Sequence, residues 1–490
     1  MYPYFYKFRY LWIFFLLFIP VFGYLDIMPI RIWDEARVAM NSYEMLNDGD
    51  YIVTHLDGAP EMWNTKPPLL NWIQVICMKL FGVNEVSIRL PSAIAALLTI
   101  LLLLIFAERY MRNFWFGFII IAVLLTSHGY INLHATRTGD YDALLTFFTT
   151  LSSLSLFLYV ENKRSKYLYV FFIGLALGVL TKSITGLLFA PGLLVYLLWQ
   201  KQFIPLFKTK HFYFGIGVFI LLVFGFYLLR EFKNPGYLVA VWENEIGGRY
   251  LETIEKHNAS FWFYHNNFLN FQIPFWYLFL PFGLIIGISN KNEKFRKIAA
   301  FSFLLLLNFF LIISSSKTKL EWYDVPMYPF IAIIVAFVIH YVFDLLKNNS
   351  ILKESLKYPV LPYLFLFLVF YNPYKKIINK TYLPKEYPWE VDFYEIGYYL
   401  KDAIRGKHTV KNCVLLYDGY NYHNKFYLNI LNKKGNNIDF KHFSVLADGD
   451  SAIVVQGDIK NQIKSNYVFK TLETVGNVEK IQILHKIKWE

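Results

Sequence analysis

The sequence predicts an all-α multi-pass membrane protein of about eleven spans (about thirteen at most), followed by a small C-terminal α/β domain on the outer face. Three observations carry that expectation. The 490 residues are 56% hydrophobic, 20% aromatic and only 17% charged, against about 25% charged in a soluble chain, and the mean hydropathy is +0.36. Apolar runs approaching the roughly 20 residues of a membrane helix recur as far as residue 373. Basic residues fall in alternate loops, as the positive-inside bias requires. This composition excludes disorder. Two cysteines, Cys77 and Cys413, exclude a disulfide scaffold and a cysteine-rich metal site.

In chain order the expected spans are 10–30, 90–106, 114–131, 143–160, 167–181, 184–200, 212–229, 271–289, 298–314, 325–343 and 359–373. The first run has no small-residue cleavage site after it, so it reads as a retained helix rather than a signal peptide. With the N-terminus inside, the inner loops hold Lys7, Arg9, Arg109, Arg112, Lys163, Arg164, Lys166, Lys201, Lys208 and Lys210. They go on with Lys291, Lys294, Arg296, Lys297, Lys347, Lys353 and Lys357. Against five acidic residues these give +12, while the outer segments sum to −5 and the tail to +5. The net charge of +12 therefore encodes orientation and offers no case for a nucleic-acid partner.

The chain divides on this reading into a transmembrane domain, 1–373, and a soluble extracytoplasmic domain, 374–490. In the tail, 391–404 has helical periodicity, 413–417 and 452–456 look like buried strands, and 480–487 alternates. Asp418 and His423 stand there without a spacing that marks a site.

Four polar clusters are too charged to be plain connectors, and all fall on the outer face. The first lies in loop 31–89. Asp34 and Glu35 follow a span directly, where carboxylates are costly and often functional. Alternatively they favour the dipole at the start of an interfacial helix. Arg37, three residues on, shares a helical face with Asp34 and would hold it ionised. Lys66 precedes Pro67 and Pro68, which stiffen an extended turn. Its ammonium suits a phosphate, or else it snorkels to the headgroups.

The second cluster is Arg137, Asp140 and Asp142, with Asp142 either a helix cap or part of a site. The third, loop 230–270, carries Glu243, Glu245, Arg249, Glu252, Glu255 and His257 before an aromatic belt. The fourth, Ser316 to Tyr323, brings Lys317, Lys319 and Tyr323 into a tight loop where a phosphate could be clamped.

The motifs Trp33-Asp34-Glu35-Ala36-Arg37, Lys66-Pro67-Pro68-Leu69, Leu80-Phe81-Gly82 and Arg89-Leu90-Pro91-Ser92 occur here in a specific order. With Ser316-Lys317-Thr318-Lys319-Leu320 and Tyr323 three residues before Pro326, the chain resembles the polyprenyl-phosphate-sugar-dependent glycosyltransferases of the C-type membrane fold (GT-C). It is most similar to the lipid A 4-amino-4-deoxy-L-arabinose transferases and to bacterial members of the protein O-mannosyltransferase superfamily. The resemblance is strongest over residues 33–150.

That resemblance implies an enzyme of the bacterial inner membrane, with the N-terminus cytoplasmic and the C-terminal domain extracytoplasmic. It would move a sugar from a polyprenyl-phosphate carrier to lipid A or another envelope glycolipid. The implied catalytic residues are Asp34, Asp142 and Arg37, and the implied donor-phosphate ligands are Lys66, Tyr323, Lys319 and Arg249. Glu35, Asp140 and His257 are further candidates. The arabinose transferases carry Glu before the Pro-Pro lysine, and this chain has Thr65. A divalent metal at that point is therefore doubtful, and assignment to the lipid A subgroup is weakened.

Other readings are the same fold with a protein or glycan hydroxyl as acceptor, and a lipid-linked sugar transporter. A transport pathway needs charges at mid-depth, and the expected spans are almost free of them.

Overall fold

A computed structural model describes residues 8–251, 257–348, 360–417 and 419–487. Lys7, Glu252, Glu255, Lys353, Glu354, Lys357 and Asp418 lie outside the described residues, and so does the side chain of Arg249.

Among the described residues, six helices are long and apolar enough to cross a membrane: Glu85–Met111, Asp142–Asn162, Ser165–Leu187, Lys210–Lys233, Glu293–Ser315 and Glu321–Asn348. Length and composition thus account for six of the eleven spans expected. Other expected spans are shorter apolar helices, Arg9–Phe22, Phe114–Leu125, Ala190–Trp199 and Phe279–Ile288. Local chemistry shortens them. Pro20 lies in a widened turn, Phe18–Phe22, and Ser183–Leu187 forms a tight 3₁₀ turn ahead of Pro191. Thr126 turns its Oγ1 back onto the Ala122 carbonyl at 2.6 Å where Phe114–Leu125 stops. The run expected at 359–373 lies in a helix from Leu361 to Thr381, with residue 359 outside the described residues.

The chain separates into two compact units. The first comprises Met1–Tyr24, Asp50–Ile73 and Arg89–Tyr382. It contains nearly all of the apolar helices, packed through small residues. Helix Asp142–Asn162 presents a buried stripe including Thr146, Thr149, Thr150, Ser152, Ser153 and Ser155, and Ser152 meets Gly174 of helix Ser165–Lys182. Small groups let backbones approach closely where apolar burial gives no preference over lipid. At Gly283 the neighbour is backbone: a Cβ there would lie 2.1 Å from the Ile334 carbonyl oxygen. A short antiparallel ribbon, β1 (His55–Leu56) with β2 (Ala59–Pro60), sits in the loop before Lys66.

The second unit comprises Leu25–Gly49, Gln74–Ile88 and Leu383–Glu490. Its five-stranded mixed sheet uses β3 (Cys413–Leu415), β4 (Asp439–Phe440), β5 (Ser451–Val455), β6 (Tyr467–Val475) and β7 (Val478–Lys486) in the order β4-β3-β5-β7-β6. β3 pairs in parallel with β4 and β5, and β7 runs antiparallel to β5 and β6. Val414, Ala452, Val454, Ile463, Ile481 and Ile483 belong to its core. Helices Val391–Ile404, Tyr422–Lys433 and Asp34–Asp48 belong to the same unit.

Candidate active site

The stretch from Glu61 to Lys66 is built as a rigid loop. The Glu61 carboxylate accepts from the N–H groups of Trp63 and Asn64 at 2.9 and 3.1 Å. Three carbonyls of the loop are taken by side chains from 230–244: Arg230 donates to Glu61 O, Asn244 to Met62 O, and the Tyr237 hydroxyl to Thr65 O. Pro67 and Pro68 follow, so Lys66 leaves the loop in a fixed direction. Its ammonium donates to Asn64 Oδ1 at 3.2 Å, lies 3.9 Å from Glu245 and stands 5.5 Å from the centre of the Tyr141 ring.

A cavity of about 400 Å³ opens beside it, lined by Lys66, Lys182, Glu245, Ser316, Thr318 and Tyr323 with Ile184, Thr185, Leu188, Ile312 and Ile313. Two ammoniums, a phenol and a hydroxyl-bearing loop therefore share a pocket with an aliphatic wall. Lys182, in the last turn of its helix, pairs with Asp142 at 2.5 Å, both side chains being buried, and stands 5.3 Å from the Tyr323 ring centre. Asp142 is the first residue of its helix, one position after the N-cap Tyr141. Its carboxylate is held by the Lys182 cation at the edge of the pocket.

The other candidates sort by their partners. Asp140 holds its own loop: its carboxylate accepts from Thr138 Oγ1 at 2.6 Å, and its carbonyl accepts from Ser92. Lys319 donates its ammonium to the Ser316 carbonyl, and burial pushes its pKa down. His257 is exposed, and its carbonyl accepts from the Lys319 N–H at 3.0 Å. No group of three or more His, Cys, Asp or Glu suited to a metal occurs among the described residues. Thr65 is fully buried with an unpartnered hydroxyl, a neutral group ill suited to a divalent ion.

Asp34, Glu35 and Arg37 belong to the second unit. Glu35 reaches back to the Arg31 N–H at 2.7 Å, the arrangement of a helix start. Asp34 opens helix Asp34–Asp48 directly after Trp33. Asp34 and Arg37 both act on the Tyr420 phenol. Burial raises its pKa, the Arg37 charge and hydrogen bond lower it, and the Asp34 charge raises it.

Lys182 is the pocket residue that sequence reasoning passed over. Its signal was present: Thr181-Lys182-Ser183 interrupts two apolar runs, and a lone charge at such a point marks function by default. Glu245 was seen as one carboxylate among several, and only the fold brings it to Lys66.

Residues 65–228 match the sequence family described as dolichyl-phosphate-mannose-protein mannosyltransferase. An uncharacterized protein of Aquifex aeolicus is 27% identical over 428 residues, covering 86% of this chain and 92% of that one. The undecaprenyl phosphate-alpha-4-amino-4-deoxy-L-arabinose arabinosyl transferase 1 of Pseudomonas fluorescens (strain Pf-5) is 28% identical over 326 residues, 62% of this chain. The chain spans 56% of that relative's length. The crystal structure of ArnT from Cupriavidus metallidurans bound to undecaprenyl phosphate shares the fold, with a TM-score of 0.73 at 16% identity over 97% of this chain and 98% of that one. The chain is thus similar in sequence to arabinosyl transferases and to a mannosyltransferase family, and it shares the fold of ArnT.

Proposed function

We propose that this protein is an integral-membrane glycosyltransferase that takes a sugar from a polyprenyl-phosphate carrier on the outer face of the inner membrane. The observation that carries the reading is the cavity in which Lys66, Lys182 and Tyr323 meet an aliphatic wall. As the bond from the sugar carbon to the phosphate oxygen breaks, negative charge grows on the leaving phosphate. Preorganised ammoniums and a phenolic donor stabilise that charge in a partly dry site. The wall of Ile184, Leu188, Ile312 and Ile313 accommodates the first isoprene units, and the rest of the tail stays in the bilayer. The name of the arabinosyl transferase relatives and the ligand of the ArnT structure support an undecaprenyl carrier.

Asp34 is assigned to the acceptor, taking the proton of its hydroxyl as the new glycosidic bond forms. If the acceptor group is an ionised phosphate, a base is hardly needed and Asp34 positions neighbouring groups instead. Asp142 keeps Lys182 charged and aimed. Arg37, like Asp34, acts on the Tyr420 phenol, and Arg249 is retained as a phosphate ligand by resemblance alone. With Thr65 in place of a carboxylate, no metal is assigned to this site.

The acceptor is lipid A or another envelope glycolipid. The match of residues 65–228 to a protein mannosyltransferase family favours a second reading, a protein or glycan hydroxyl. Mass spectrometry of lipid A, envelope glycans and exported proteins from cells with and without the gene separates them. A sugar missing from one class names the acceptor, and no missing sugar in any class contradicts the proposal.

A further inference from the structure

The backbone at Trp33 is out of the ordinary. Its φ is +71° and its ψ −111°, a region that a non-glycine residue occupies only when its surroundings enforce it. Trp33 is also the residue directly before Asp34, and its ring is 59% exposed, so burial of the indole does not enforce the conformation.

What holds it is a side chain from far along the chain. The Tyr420 hydroxyl donates to the Trp33 carbonyl at 2.8 Å, and the two rings pack with centres 4.5 Å apart. The same carbonyl accepts the Arg37 N–H at 3.0 Å, which starts the helix. Tyr420 is backed edge-on by Tyr422. The preceding residues are held in the same way: Lys401 donates to the carbonyls of Asp26 and Ile27, and Tyr427 and Tyr394 accept from the N–H groups of Ile30 and Ile32. Tyr420 acts on the strained residue itself, through its hydroxyl and its ring.

We propose that Tyr420 is a positioning residue for sugar transfer: by holding the Trp33 peptide in its left-handed conformation it fixes the direction of the Asp34 carboxylate. Relaxation of Trp33 to negative φ would rotate the peptide that carries Asp34, and a displacement near 1 Å at a reacting group costs about 100-fold in rate at the extreme. The inference rests on the acceptor role given to Asp34. It also gives the C-terminal domain a part in the reaction besides any in acceptor binding.

The test uses the full-length protein restored to cells that lack the gene, with the transferred sugar measured by mass spectrometry. Tyr420→Phe keeps the ring and loses the hydrogen bond. It should cut product about tenfold, leave binding of undecaprenyl phosphate to the purified protein unchanged, and speed hydrogen exchange at the Arg37 amide. Trp33→Gly removes the need for enforcement, since glycine adopts this φ freely. Adding Tyr420→Phe to Trp33→Gly should therefore change product less than about twofold. Wild-type product from Tyr420→Phe, where Asp34→Asn is inactive, overturns the positioning role alone. An equal loss in both backgrounds also overturns it. An active Asp34→Asn protein overturns the role of Asp34 and this inference with it.

Discussion

Lys182 and Asp142 form the most consequential pair in the pocket, because two buried charges 2.5 Å apart stand or fall together. Removing one partner leaves an unpaired buried charge, at a cost of about 3–5 kcal/mol. Asp142→Asn and Lys182→Met should each lower the melting temperature of the purified protein, and the double variant should recover most of that loss. All three should transfer sugar at least about 100-fold more slowly. A stable but still inactive double variant separates the catalytic role of the pair from its structural one. Lys66→Ala differs in kind. Glu245 and Asn64 remain as polar neighbours, and losing a charged hydrogen bond to phosphate, about 1.5–3 kcal/mol, should raise the donor KM about 10- to 100-fold. An unchanged KM removes Lys66 from donor binding.

At the scale of elements, close helix contact and one buried histidine make separate predictions. Gly283→Leu drives a side chain into the Ile334 carbonyl, and overpacking of this kind costs about 1–3 kcal/mol or more. Gly217→Leu, with nothing within 4 Å of its Cβ, should be silent in the same thermal assay. In the second unit, His423 is buried against the Phe393 carbonyl at 3.1 Å, and burial pushes its pKa down to about 4 from 6.5. Between those values the unfolded chain binds the extra proton. Stability is therefore complete above pH 6.5 and falls by up to about 3 kcal/mol as pH drops toward 4. Exchange protection of helices Val391–Ile404 and Tyr422–Lys433, corrected for intrinsic rates, should weaken from pH 7 to pH 5. Constant protection contradicts it.

Legibility at this scale followed the strength of local pattern. Helix Val391–Ile404 and strands β3, β5 and β7 were visible because their apolar residues keep one period. Strand β6 was not, since irregularities at Val468/Phe469 and Thr471/Glu473 break its alternation. Lys66 and Tyr323 were readable from the stiff motifs around them. Lys182 stood out in sequence only as a lone charge between apolar runs, because its partner Asp142 lies forty residues away and is brought near by the packing of two helices.

For the molecule as a whole, the proposed topology makes net charge a report of orientation and leaves the chemistry to the outer loops. The composition excluded a soluble enzyme at once, but hydropathy could not see where Pro20 and the turn before Pro191 interrupt an apolar run. On the proposed function, one pocket receives the phosphate of a polyprenyl carrier. Native mass spectrometry of the purified protein with undecaprenyl phosphate is the decisive measurement. The wild-type protein should carry bound lipid, binding should weaken in Lys66→Ala, and the Lys66→Ala/Lys182→Met double variant should lose it. Undiminished binding to the double variant overturns the proposal.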